Sequence, residues 1–351
     1  MTVAIVGAGK RVSTFYAGIC GELVRRGVCE IVGISNRTPE KAEPIGTALN
    51  CPVYSSVDTL LAETKPQAVI LAVKPEVKLA LAIKLVRAGK HVFLETPAGD
   101  FPRDARQLLS ASTVERVTVE VAEDQGFYPE ALLHSRILSS GVLGRVLAVF
   151  NDDKEYYYHA CARLHAMLGA LPKPAGFTGR NLELGDGARV ELREVYFAGG
   201  LRYFHRYSRP KDHVLRGAPV WKIVCEKGAL TDTHAYLPTE GRSFEKIAFE
   251  IQGQKLDQGP AGVVERIQVQ LTGEKFSWES PYLGHTRQWT GIAWLLEGFL
   301  RAARNGSPPH YGLERAVQDV ELWRSMELVG NVPTRPVSSF LLSPLFRIFR
   351  R

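Results

Sequence analysis

The chain has 351 residues, 45% of them apolar and 23% charged, with a formal net charge of +7. That length holds two domains, each able to bury a core, and the composition is that of an ordinary soluble globular protein. No long basic run precedes the last residues, and neither zinc-finger spacing nor an RNA-binding signature occurs. The positive excess therefore points to mild attraction for anionic ligands, with no nucleic-acid partner expected.

The five cysteines, Cys20, Cys29, Cys51, Cys161 and Cys225, are scattered and odd in number, which argues against a disulfide framework and fits a reducing cytosol. The first residues carry no basic leader ahead of an apolar stretch, so no secretory signal is expected. No apolar run reaches membrane-spanning length, and a cytoplasmic location follows as the expectation.

Residues 3–7 read Val-Ala-Ile-Val-Gly, a short strand ending in glycine. Ala8, Gly9, Lys10, Arg11 and Val12 follow, then a helix over Gly18–Arg26 and a second strand over Glu30–Ile34. This strand, glycine turn, helix, strand layout cradles a dinucleotide. Gly7 permits the tight turn, Gly9 lets the backbone approach a pyrophosphate, and the amides opening the helix face that anion. Val12 stands where the third glycine of the fingerprint would be. A plain turn of an α/β protein is the competing reading.

The second strand runs into Ser35-Asn36-Arg37-Thr38. NAD sites place an acid there for the ribose hydroxyls, whereas NADP sites omit it and offer arginine or serine to the extra phosphate. With no acid and with Arg37 present, NADP is favoured over NAD, because a guanidinium matches phosphate geometry.

Ala68–Val73 is a continuous apolar run and reads as a buried parallel strand. It ends at Ala72-Val73-Lys74, beneath the expected cofactor; Lys74 could meet its ribose or phosphate, or merely extend from the strand end. A helix is expected over Glu76–Ala88, a strand over His91–Glu95, a helix over Pro102–Ser112 and a strand over Val117–Val121. Alternation of this kind implies right-handed crossovers on one parallel, doubly wound sheet.

After about residue 146 the texture changes to period-two runs: Val146–Asn151, Arg189–Tyr196, Leu201–Tyr207, Pro219–Cys225, Lys246–Ile251 and Val263–Leu271. These predict an open, mostly antiparallel sheet. Helices are expected at Ala131–Ser139, His159–Leu168, Thr286–Arg304 and Leu313–Val329. The class is thus α/β: a dinucleotide-binding domain over 1–122, an α+β domain for substrate and oligomerisation over 123–336, and an apolar, basic tail over 337–351. The tail could lie on an anionic membrane surface; docking against protein is favoured, since Pro344 breaks any long amphipathic helix.

Five marks in order resemble the Gfo/Idh/MocA family of glucose–fructose oxidoreductases and inositol dehydrogenases. They are Val-Gly-Ala-Gly near the start, Ala-Gly-Lys-His-Val-Phe-Leu-Glu-Thr-Pro (88–97), Gly-Phe-Tyr-Pro (126–129), Ser-Gly-Val-Leu-Gly-Arg-Val (140–146) and Glu-Lys-Gly-Ala-Leu (226–230). The resemblance implies a Rossmann domain, a nicotinamide cofactor, and an open sheet that assembles a homodimer or homotetramer.

It also implies a lysine after Glu95, where this chain has Thr96, and an aspartate three residues after His159, where it has Ala162. Members lacking that lysine include thiazolinyl imine reductases, which the chain resembles somewhat at Phe-Tyr-Pro and over Arg206–His213. Ala72-Val73-Lys74-Pro75 also resembles a stretch of pyrroline-5-carboxylate reductases.

Reduction of a polar double bond needs a proton donor near the reduced atom. Tyr128 can donate from its phenol, and His159 titrates near neutrality. Glu95 and Thr96 stand at the carboxyl end of a parallel strand, where α/β ligands bind. Lys154–Tyr158 could line a pocket, and the basic stretch Arg202–His213 could grip an anionic substrate. The leading expectation is an NADPH-dependent reductase of C=N or another activated double bond in a small anionic or heterocyclic substrate. A non-catalytic cofactor-binding regulator, and a redox-neutral enzyme whose nicotinamide is reduced and reoxidised in one turnover, are the alternatives.

Overall fold

The computed structural model describes residues 1–152, 157–183, 189–209, 220–240, 243–254 and 261–329. The tail 337–351, Lys154–Tyr156 and the 210–213 part of the basic stretch lie outside the described residues. The described residues form two compact units: 1–124 with 291–320, and those of 125–290 with 321–329.

In the first unit, six parallel strands are ordered β3-β2-β1-β4-β5-β6. They are β1 (Thr2–Val6), β2 (Glu30–Ser35), β3 (Val53–Tyr54), β4 (Ala68–Leu71), β5 (His91–Leu94) and β6 (Val119–Val121). The order reverses between β1 and β4, which opens a crevice at the strands' carboxyl ends. Helix α1 (Ala17–Arg25) continues a π-type turn over Val12–Tyr16. Val12, Tyr16, Ile19, Cys20 and Leu23 make its buried stripe. Helices α2 (Glu43–Leu49), α3 (Val57–Thr64), α4 (Pro75–Arg87) and α5 (Pro102–Glu115) are the crossovers. Proline at the first helical position starts α4 and α5, where its missing N–H costs nothing.

β4 is buried along its whole length, as a strand covered on both faces must be. Phe299, from the returning segment 291–320, packs on Phe93 with ring centroids 5.5 Å apart. Burying each such side chain contributes roughly 1.5–3 kcal/mol.

The second unit carries helices α6 (Pro129–Ser140) and α7 (Tyr157–Leu168) and an eight-stranded sheet. That sheet comprises β7 (Val146–Asp152), β8 (Pro174–Glu183), β9 (Arg189–Phe197), β10 (Arg202–Arg209), β11 (Val220–Cys225), β12 (Gly228–Thr231), β13 (His234–Pro238) and β14 (Phe244–Ala248). Its order is β14-β13-β12-β11-β7-β10-β9-β8. All neighbours are antiparallel except β7 and β10, which run parallel, because the chain leaves β7 through α7 and an outer hairpin before returning beside it.

The expected single strand Lys246–Ile251 is two strands in two sheets. β14 ends at Ala248, and β15 (Glu250–Gln254) joins β16 (Val263–Leu271) and β17 (Glu274–Glu279) in a separate three-stranded sheet. Phe249, buried between them with its N–H on Thr233 O at 2.8 Å, pins the crossing. Helices α8 (Arg287–Asn305) and α9 (Leu313–Leu328) close the described chain. No described helix is long and apolar enough to cross a membrane.

Candidate functional site

The glycine turn after β1 shows why its residues are what they are. Gly7 has φ +111°, and a Cβ there would lie 2.1 Å from Ala72 O, so no other residue fits. Gly7 N–H donates to Ser35 O at 2.8 Å, tying the turn to the end of β2. At Gly9 a Cβ would meet nothing within 4 Å, so the backbone faces open space. Gly9 O accepts the Val12 and Ser13 N–H groups, and the amides before them open the helix toward that space.

Val12 is fully buried, so the position of the third glycine is used for core packing. At the end of β2, Asn36 Nδ2 donates to Thr38 O at 2.7 Å, and Arg37 is exposed. Ala72 and Val73 are half-buried after β4, and Lys74 is exposed as the residue capping α4. The Gly9 backbone, open on its outer side, is the part of this surface that an anion could approach.

The charged groups gather at the carboxyl end of β5. Arg11 Nε meets Glu95 Oε1 at 2.8 Å, and its Nη2 meets Asp124 Oδ1 at 3.4 Å. Its guanidinium also lies 4.9 Å from the Phe15 ring centroid. Tyr16, fully buried, donates its hydroxyl to the same Glu95 oxygen. Burial and then Glu95 push the Tyr16 phenol well above its ordinary pKa. Burial works against the Arg11 cation, but Glu95 and Asp124 outweigh it and raise its pKa. Arg11 is therefore a fixed cation on a carboxylate pair, placed where the opening turn meets the strand end.

Lys78, from α4, donates through Nζ to Glu95 O at 3.1 Å and Pro97 O at 2.5 Å. Burial lowers its pKa to about 8, against the pull of Glu95, Asp100 and Glu123. The structure thus brings Arg11 and Glu95 together, and adds Tyr16, Lys78 and Asp124, which the sequence reading missed. One signal was present for Lys78: it heads a stripe with Ala82, Leu85 and Val86 that is otherwise the apolar, core-facing side of α4.

Tyr128 and His159 belong to the second unit. Tyr128 is 5% exposed and caps α6, its carbonyl accepting the Leu132 N–H at 3.0 Å. His159 is half-buried on the first turns of α7, its ring 4.3 Å from that of Tyr158. Ala162, at the position of the family's aspartate, is buried. The start of α7 rests on a polar layer of the sheet: Tyr157 OH donates to Glu191 at 2.5 Å, and Arg193 holds Glu191 at 3.1 Å. Beside them Asn151 Nδ2 lies 3.2 Å from His205 Nδ1. Burial, then Arg193, push the His205 imidazole down to about 3. Farther along α7, Arg163 pairs with Asp232 at 2.8 Å and lies over the Trp221 ring at 4.8 Å.

A doubly wound parallel sheet whose glycine turn leaves its backbone open, followed by a mixed sheet domain, is a layout of dinucleotide-binding proteins. Residues 1–123 match the profile of the oxidoreductase family with an NAD-binding Rossmann fold, Gfo/Idh/MocA. The match covers the first domain of the chain.

Among its curated relatives, dehydrogenase AclE of Aspergillus oryzae is 32% identical over 140 residues, which span 38% of each chain. A 2,7-anhydro-N-acetylneuraminate hydratase of Mediterraneibacter gnavus is 25% identical over 291 residues, covering 73% of this chain and 74% of that one. An oxidoreductase from Agrobacterium radiobacter, solved with NAD+, L-tartaric acid and magnesium, superposes with a TM-score of 0.71 at 12% identity, over 97% of this chain and 99% of that one. That last likeness shows the fold across nearly the whole chain.

Proposed function

We propose that the protein is an NADP(H)-preferring oxidoreductase that delivers hydride to a C=N or other activated double bond of a small anionic or heterocyclic substrate. The observation that carries this reading is the strand end itself: Glu95 is followed by Thr96, so no lysine stands there to polarise an alcohol or carbonyl oxygen. An imine nitrogen is basic enough to take its proton in solution or from a weak donor, so its reduction does not demand that lysine.

Gly7, Ala8, Gly9, Lys10, Arg11 and Val12 would form the pyrophosphate turn; Ser35, Asn36 and Arg37 the ribose and phosphate site; and Ala72, Val73, Lys74 and Glu95 the strand ends along the cofactor. The bound cofactor would supply the hydride. Tyr128 and His159 are the proton-handling candidates, with Thr96 and Glu95 at the strand end.

The exposed face of the eight-stranded sheet supports assembly with a second copy. There Phe150 and Phe204 stack at 4.6 Å, and Leu147 and Leu192 stay exposed.

Stopped-flow absorbance at the NADPH band tests the reading with a panel of imines, enones and keto-sugars. Oxidation by imines that falls at least tenfold in Tyr128→Phe or His159→Ala is the expected result. Tight NADPH binding with no oxidation across the panel would favour a non-catalytic regulator instead. A second reading, redox-neutral chemistry on a retained nicotinamide, draws on the hydratase relative that spans most of the chain. Its mark would be turnover with no added nicotinamide.

A further inference from the structure

Lys78 is 5% exposed on a helix stripe whose other members are Ala82, Leu85 and Val86. A leucine or methionine would complete that stripe, and burying an ammonium is costly unless its donors are met. Two of them are met, and both acceptors belong to one turn: Glu95 O at 3.1 Å and Pro97 O at 2.5 Å. The two carbonyls flank Thr96, the residue standing in the place of the family's lysine. The same turn carries the Glu95 carboxylate, which Arg11 and Tyr16 hold. The turn is therefore gripped by its backbone from α4 and by its side chain from the glycine turn.

We propose that Lys78 is a positioning residue that sets both the shape and the charge of the Glu95–Thr96–Pro97 turn for the nicotinamide end of the cofactor, returning from α4 the positive charge absent at Thr96. The inference rests on the oxidoreductase reading above. The charged groups facing Lys78 are Glu95 on its turn, Asp100 ahead of α5, and Glu123 after β6. Burial outweighs their pull, so the ammonium loses its proton near pH 8. Lys78 is thus charged at neutral pH, and the charge is removed within the range over which an enzyme is assayed. An oxidised nicotinamide ring is cationic and a reduced one neutral, so the charged lysine disfavours the oxidised cofactor relative to the reduced one.

The experiment is calorimetric titration of the full chain with NADPH and with NADP+ between pH 6.5 and 9.5, on wild type, Lys78→Met and Lys78→Arg. Methionine keeps the aliphatic stem packed. In wild type the preference for the reduced cofactor should shrink about tenfold as pH rises, with its midpoint near the Lys78 value. Lys78→Met should bind NADPH about tenfold more weakly and NADP+ little changed, so that the reduced-form preference is already lost at neutral pH with no break, and Lys78→Arg should restore affinity and keep the reduced-form preference across the whole range. Wild-type affinity and the same pH break in Lys78→Met would overturn the assignment while leaving the oxidoreductase reading standing. Absence of binding by the wild type to any nicotinamide dinucleotide would overturn both. Should Lys78→Met not fold, a flat pH profile in Lys78→Arg still decides for the assignment, and a wild-type break there decides against it.

Discussion

Two clusters of charged side chains, one in each unit, are built from the same residue types and serve opposite ends. The cluster at the end of β5 keeps part of its surface open: the Arg11 side chain is 27% exposed and that of Glu95 15%. The cluster on α7 closes over its cation, although Asp232 keeps 23% of its side chain exposed. Arg163 is 5% exposed and paired with Asp232 at 2.8 Å, with Glu130 at 3.9 Å. An open cluster at the carboxyl ends of parallel strands can exchange its internal partners for a ligand. A closed one cannot, and its charges act on the fold.

The largest expected effect comes from breaking the closed cluster. Arg163→Met leaves half-buried Asp232 and buried Glu130 without their cation, so the stability of the second unit should fall by about 3 kcal/mol, read as a lower urea midpoint. The double change Arg163→Met with Asp232→Leu should recover much of that loss. Affinity for nicotinamide cofactor should be unchanged below the transition, since its proposed holders lie in the other unit. Equal loss of cofactor binding and stability would remove the distinction between the two clusters.

Acid acts on the second unit next. His134 is pushed down to about 4 by burial and Arg163, and His205 to about 3 by burial and Arg193. Both folded values lie below the usual 6.5, so the unfolded chain binds more protons in this range. The stability these groups contribute is present above pH 6.5 and lost as pH falls toward the folded values, about 2 kcal/mol each between pH 7 and 5. Asp232 runs the other way: burial raises it to about 6, so its contribution is full below 3.8 and lost as pH rises through 6. Denaturant midpoints at pH 5 and 7 should show the net loss, and His205→Phe should flatten part of the slope; an unchanged slope would refute the histidine's part.

The end of β2 in the first unit is tested by Arg37→Ala. Removing a charge-assisted contact to the extra phosphate should weaken NADPH about 10–100-fold and leave NADH within about twofold. Equal weakening of both would place the guanidinium elsewhere. The smallest effect concerns the exposed sheet: Phe150→Glu should shift light scattering toward monomer with little change in unfolding temperature, and an unaltered mass would exclude this face as the contact.

Much of the first unit was legible because a parallel, buried strand must be an apolar run. Ala68–Leu71 and His91–Leu94 show themselves that way, and the turn at Gly7 tolerates nothing else. The strand Lys246–Ile251 was misread because alternation continues through Phe249, while the chain changes sheets there. Alternation reports which residues are buried, not which strand lies alongside.

The amino-acid order alone determined the doubly wound sheet, the dinucleotide turn, the missing strand-end lysine and the absence of an acid after β2. The last three are read from neighbours within a few residues along the chain, and the sheet from its regular alternation of strands and helices. Only the tertiary structure decided that Glu95 is held by Arg11 and Tyr16, that its turn hangs from Lys78, and that β7 and β10 run parallel. Those pairings join residues far apart in the chain, and whether a lysine in an apolar stripe is an error or an anchor depends on which carbonyls the fold delivers to it.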